Sequence, residues 1–343
     1  MTTLANDEAV PQSSQKTPLV AAGLLMAVVS AVTFSLSGPL GRGLFDTGWS
    51  TGGVLVFRVG IGALVLAPFA VRALAGRWRS VAGSWRVVVA YALLAIVVPQ
   101  FAFFSAVQWM AVGPALLLEY MGVVLVVGWM WLRHGERPSR LTMVGALVAI
   151  AGLVLVLDLV SGANVHPFGV LWGSAAAVGL AGYYVLNAHS STTLPPLALA
   201  WLGLTGATIL LAMLCLVGAI PFAMETSPVV LAGLEMPWWG PLVGLGVLTC
   251  SVAYAAGIAA TRTLGSRLSS FVGLLEVVSA VVFAWLLLGE APGLIQLIGG
   301  LVVLAGIIAV QQGEQSTTAS PRLRPLPARP HRQPVGQDGQ VVL

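Results

Sequence analysis

Charge is what this 343-residue chain has least of. Asp, Glu, Lys and Arg make up 8% of it, against 58% hydrophobic residues, whereas a water-soluble domain carries about 25% charged residues. So few charges cannot cover a water-facing surface, which excludes a soluble enzyme or a nucleic-acid binder and leaves an integral membrane protein. Lysine is nearly missing, with Lys16 alone against many arginines. Cysteine is limited to Cys215 and Cys250, both inside apolar runs, where they read as small packing residues rather than a disulfide or metal pair. The chain has no Walker A sequence, no His-Glu-x-x-His, no Cys/His ligand spacing and no glycine-rich nucleotide loop. No cofactor and no metal is therefore expected, and any transport would draw on gradients rather than ATP.

Ten apolar runs are long enough to read as spanning helices: 19–39, 51–71, 87–109, 112–132, 141–158, 168–187, 197–218, 239–260, 267–288 and 293–311. They are too long for barrel strands and lack period-2 alternation. Residues 1–17 are polar and lack the basic start and cleavage site of a secretory signal. Residues 312–343 are rich in Pro, Gln and Arg and read as a disordered tail. The net charge of +4 reflects arginines in short links rather than a nucleic-acid surface. Arg72, Arg77, Arg79 and Arg86, then Arg133, Arg137 and Arg140, then Arg262 and Arg267, and the tail arginines all fall on the side of Lys16. The positive-inside rule makes that side cytoplasmic for both termini.

Residues 135–156 recur at 289–310, with nine identities in 22 positions. Gly135-Glu136-Arg137-Pro138 returns as Gly289-Glu290-Ala291-Pro292, and Gly145 and Gly152 return as Gly299 and Gly306. Five runs separate the copies, so the second crosses the membrane in the opposite sense. The link charges agree: links rich in Arg in the first half have counterparts with none, and the reverse holds for the link carrying Arg262 and Arg267. Such a pattern predicts an all-α integral membrane protein with ten transmembrane helices as two inverted-topology five-helix repeats, 18–160 and 161–311, a secondary-transporter architecture.

Two five-helix halves, each with Gly-Glu-x-Pro before its last helix, resemble the EamA-type drug/metabolite transporter superfamily over about residues 19–311. Leu-Leu-Leu-Glu-Tyr-Met-Gly (116–122) and Leu-Leu-Glu-Val-Val-Ser-Ala (274–280) look like the glutamate-bearing segments of threonine/homoserine-type amino-acid exporters. In those exporters a Pro often stands near these glutamates, where Gly122 and Val277 stand here. The resemblance implies outward movement of a small metabolite across the plasma (inner) membrane.

Arg58, Glu119 and Glu276 are the charges placed inside the spans. Ionisable side chains there usually face a cavity or a partner. At 1.5 Å per residue, Glu119 lies roughly 10 Å and Glu276 roughly 14 Å into their helices. They are expected to line a central cavity, holding a substrate ammonium or a coupling proton; a protonated glutamate bonded between helices is the structural alternative. Arg58 pairs with Glu119 or a substrate carboxylate, or snorkels, or holds a structural contact. Further wall candidates are Ser30, Thr33 and Ser37; Gln100, Phe104 and Gln108 at i, i+4, i+8; Tyr183, Tyr184 and Asn187; Ser251 and Tyr254; and Ser269 and Ser279 beside Glu276. Interhelical bonding is the plain alternative for each. Pro99 predicts a kink. Glu136 and Glu290 are read as caps on the helices that follow them. The glycines of the fifth and tenth runs, and Gly240-x-x-x-Gly244, predict close helix contacts within the monomer, a homodimer contact being the other option.

A secondary transporter of small metabolites, most plausibly amino acids, working by alternating access with H+ as a coupling partner, is the leading expectation. An intramembrane enzyme acting on lipids or isoprenoids would need a denser cluster of acids and bases. A passive channel would need polar rings along one pore.

Overall fold

The computed structural model describes residues 16–135, 138–157, 166–189 and 194–318. Glu136, Arg137, Asp158, residues 1–15 and the tail beyond 318 lie outside the described residues, as do the side chains of Asn187 and Arg267.

Among the described residues, eight helical segments are long and apolar enough to cross a membrane, and Arg140–Val156 and Leu275–Leu288 are apolar but shorter. These two coincide with the fifth and ninth expected runs. Among the described residues the regular structure is helical apart from one small hairpin.

Several spans are broken, and at the first of them local chemistry accounts for the break. The first runs as α1 (Lys16–Ser35) and α2 (Ser37–Asp46), interrupted at Leu36. Pro39 has no N–H to give to the Ser35 carbonyl, and the Ser35 and Ser37 hydroxyls bond back to the Val32 and Phe34 carbonyls, competing with the helix ladder. Helix α3 (Thr51–Ala73) is capped by Ser50, whose Oγ accepts the Gly53 N–H at 3.1 Å. After a short α4 (Trp78–Gly83), the third span consists of α5 (Trp85–Ala90), a π-helical segment π1 (Tyr91–Val97) and α6 (Val98–Val107). The fourth is α7 (Val112–Tyr120), a break at Met121, and α8 (Gly122–His134), closed by Gly135 at φ 68. Helix α9 (Arg140–Val156) is capped by Ser139.

The second half has α10 (Pro167–His189) and α11 (Pro196–Leu216), a link with strands β1 (Val229–Leu231) and β2 (Leu234–Met236), then α12 (Trp239–Gly244), a second π segment π2 (Leu245–Val252) and α13 (Ala253–Gly273), kinked at Gly265. Helix α14 (Leu275–Leu288) ends at Gly289 with φ 72, and α15 (Leu294–Thr318) follows. The last helix thus reaches seven residues into the segment expected to be a disordered tail. The hairpin was not expected either. Ala232 and Gly233, both at positive φ, make the two-residue turn that fits a hairpin's twist.

π1 and π2 begin at Tyr91 and Leu245, the same spacing that separates the two Gly-Glu-x-Pro steps. Pro99 lies two residues beyond the end of π1, so its missing N–H falls beside a widened turn. π2 has Ala253 at the corresponding place, so proline is not the general cause.

Helices α9 and α15 pack backbone to backbone. A Cβ on Gly145 would lie 2.8 Å from the Gly306 carbonyl, and one on Gly306 would lie 2.4 Å from the Ala149 nitrogen. The expected small-residue contact between the fifth and tenth runs is therefore made within the chain. Gly240 has nothing within 4 Å of its would-be Cβ, so no close helix contact forms there; it lies in the first turn of α12, at the edge of the bundle. Large apolar residues such as Leu64, Leu132, Leu147 and Leu301 are exposed, while Arg58, Phe104, Ile96 and Leu204 are fully buried, an arrangement suited to a hydrocarbon solvent.

Candidate functional site

The bundle encloses a cavity of about 560 Å³. Its walls come from α1 (Ser30, Phe34), the third span (Tyr91, Pro99, Gln100), α7 (Glu119, Tyr120), α10 (Tyr183, Tyr184), α13 (Tyr254, Arg262, Ser269) and α14 (Glu276). The chain has five tyrosines, and Tyr91, Tyr120, Tyr183, Tyr184 and Tyr254 all line this one space. Their rings interlock: Tyr91 and Tyr183 centroids lie 6.3 Å apart, Tyr183 and Tyr184 5.5 Å, and Phe34 and Tyr254 6.3 Å.

Both glutamates stand beside a helix break. Glu119 lies two residues before Met121, and Glu276 two residues after Leu274, which separates α13 from α14. Interrupted helices let side chains and free backbone groups reach a membrane-buried space. The Tyr120 hydroxyl donates to Glu276 Oε2 at 3.1 Å.

Beyond the glutamates is a smaller chamber of about 30 Å³, also lined by Glu119, Glu276, Gln100, Ser37 and Arg58, room for about one water. Arg58 is 1% exposed. Its Nε donates to Thr249 Oγ1 at 3.1 Å, and its two terminal nitrogens donate to Gln100 Oε1 and Ser37 Oγ, each at 2.9 Å. The rings of Phe104 and Phe34 lie 4.8 and 5.6 Å from the guanidinium carbon. In this structure Arg58 makes interhelical contacts. It bonds to neutral acceptors from α2, α6 and π2, and it forms no ion pair with Glu119 in this structure.

Among the other residues singled out in the sequence, Gln100, Tyr183, Tyr184, Tyr254, Ser30 and Ser269 share the cavity. Ser37 lines only the small chamber. Gln108 does not line either space; its amide donates to Thr51 Oγ1 at 2.6 Å, because the third span carries it about two turns past Gln100. Ser279 also lines neither, although Glu276 and Ala280 on either side of it in α14 line the small chamber. Thr33 bonds its own helix and Ser251 the backbone of α3 and π2. Phe104 supports Arg58. Sequence reading missed Thr249, Tyr91 and Tyr120. The available signal was the scarcity of tyrosine together with its placement, since each of the five falls inside an apolar run.

The mouth of the cavity lies by Thr261 and Arg262, which are exposed. The opposite end is sealed by contacts between distant segments. Val229 and Leu231 of the hairpin pack on Gly43, and the Ala232 N–H donates to the Leu287 carbonyl at 2.8 Å. Trp49 Nε1 donates to the Glu225 carbonyl at 2.7 Å, and the Ser50 hydroxyl accepts the Ala223 N–H at 2.8 Å. Arg42 donates to the Val107 carbonyl. Glu290 Oε2 accepts the Val112 N–H at 3.1 Å. Glu290 therefore caps α7, a helix of the other half, and not the helix that follows it: the turn at Gly289 aims the side chain across the bundle.

The family model for EamA-like transporters matches residues 21–158 and again 167–311. The chain belongs to the EamA-like transporter family. An uncharacterized transporter of Archaeoglobus fulgidus (strain ATCC 49558 / DSM 4304 / JCM 9628 / NBRC 100126 / VC-16) is 25% identical to this EamA-like protein over 283 residues, covering 82% of this chain and 93% of that one. A crystal structure of a protein with 20% identity shares the fold at a TM-score of 0.50, over 88% of this chain and 99% of its own. Membership of this family points to movement of small molecules across a membrane as the class of activity of this EamA-like protein.

Proposed function

We propose that this EamA-like protein is a secondary transporter that exports small amine-bearing metabolites, amino acids and related compounds, across the plasma (inner) membrane. It works by alternating access between two inverted five-helix repeats, with Glu119 and Glu276 taking a proton when the substrate leaves. Both termini are cytoplasmic. The observation that carries the proposal is the cavity open at one end and sealed at the other, with two carboxyl side chains at its floor. With the arginine-rich links inside, the open mouth at Arg262 faces the cytoplasm and the hairpin end faces outward, as an exporter awaiting substrate would stand. The recurring π segments and αL glycines support the duplicated construction, and broken helices at a central site are the way transporters of this kind hold substrates. The match to a relative described as a transporter supports the same class.

Purified protein in liposomes should show saturable amine or amino-acid flux that responds to an imposed pH gradient and to counter-substrate. Glu276→Gln should remove the response to the pH gradient. Normal gradient-driven flux by that variant at every pH would reject proton coupling. Tags placing the Arg72–Arg86 and Arg262–Arg267 links on different faces of the membrane would reject the inverted repeat.

A further inference from the structure

The charge a ligand meets in the large cavity is not evenly divided. At its depth stand Glu119 and Glu276; the one guanidinium among the described wall residues, Arg262, sits at the exposed mouth. Arg58 is close by but belongs to the small chamber, and three of its five N–H donors rest on Ser37, Gln100 and Thr249. Phe34 and Phe104 stand over its guanidinium. A substrate carboxylate reaching the floor would meet the two carboxyls first, with Arg58 beyond them in a space of about 30 Å³ that is too small for it, and burying an unpaired carboxylate is costly.

The walls favour the opposite charge. Five tyrosines from four elements, with Phe34, surround the space, and aromatic faces attract ammonium groups through their quadrupoles. A volume of about 560 Å³ is in the range that holds a drug-sized molecule, more than a small aliphatic amino acid fills.

We infer that the preferred ligand is an organic monocation, an amine joined to an aromatic or bulky apolar body and lacking a carboxylate. The ammonium lies between Glu276 and Glu119, and the apolar body lies among Tyr91, Tyr183, Tyr184 and Tyr254. The inference rests on the transport reading and narrows its substrate class: amines rank above the corresponding amino acids.

Three ligands of one shape test it: phenethylamine, phenylalanine and 3-phenylpropionate, which differ in carrying the amine, both groups or the carboxylate. Binding to the purified full chain in detergent is measured by calorimetry, and flux by counterflow in liposomes. Phenethylamine should bind at least about tenfold more tightly than phenylalanine, and 3-phenylpropionate should not compete. Tyr184→Ala should weaken phenethylamine binding by about three- to tenfold while Tyr184→Phe retains it, since the ring face is what acts. Phenylalanine binding as tightly as phenethylamine, competition by 3-phenylpropionate, or no binding of any of the three overturns the inference. Tight phenethylamine binding with no counterflow of any amine would uphold it and overturn the transport reading instead.

Discussion

Glu290 and Val112 join the two halves of the chain: the carboxylate of a turn in the second half accepts the first free N–H of a helix in the first, at 3.1 Å. A negative group at a helix N-terminus stabilises it by meeting an unsatisfied donor and the positive end of the dipole. Glu290→Ala should lower the stability of the closed arrangement by about 1 kcal/mol, in the range of lost N-caps. Thermal unfolding in detergent, compared with Glu290→Gln, measures it.

The same carboxyl gives the closed end a pH dependence. Burial pushes Glu290 above the usual carboxylate range, with Asp46 adding to the rise, while the Val112 N–H and Arg42 pull it back. A carboxyl that holds its proton more tightly in the closed arrangement than in water stabilises that arrangement at low pH. That contribution fades as pH rises through the shifted range. Labelling of a cysteine introduced at Gln108, taken relative to a fully exposed cysteine at each pH because the thiolate is what reacts, should slow as pH falls, and Glu290→Gln should flatten that ratio. A ratio that rises at low pH would contradict the sign.

Arg58 ties α3 to three other segments through Ser37, Gln100 and Thr249. Lysine keeps the charge but lacks the planar fork that reaches three acceptors at once. Arg58→Lys should cost about 1–3 kcal/mol for each acceptor left bare. It should reduce transport by loosening the cavity floor, visible as a lower thermal midpoint with or without ligand.

Glycine substitutions separate contact from open surface. Gly306→Val puts side-chain atoms where α9 backbone already stands and should cost about 1–3 kcal/mol or more through overpacking. Gly128 in α8 has nothing within 4 Å of a would-be Cβ, so Gly128→Ala should be neutral or stabilise by up to about 1 kcal/mol through helix propensity. Size-exclusion profiles and thermal midpoints of the pair compare the two.

Apolar run lengths, the Gly-Glu-x-Pro recurrence and the small-residue faces of the fifth and tenth runs were readable along the chain, because hydrocarbon as solvent demands long apolar segments and close backbone approach demands glycine. The buried charges were readable too, since an ionisable residue in an apolar run stands out by its cost. The partners of those residues were not. Arg58 bonds to Thr249, which is 191 positions away, and Glu290 to Val112 at 178; no periodicity carries a relation between helices so distant. Nor does helical spacing say where a cavity stops. Gln100 and Gln108 share a face of one span, yet one lines the space and the other seals its far end. The tyrosines follow the same rule: their number is fixed by the sequence, and their meeting in one cavity by how the helices cross.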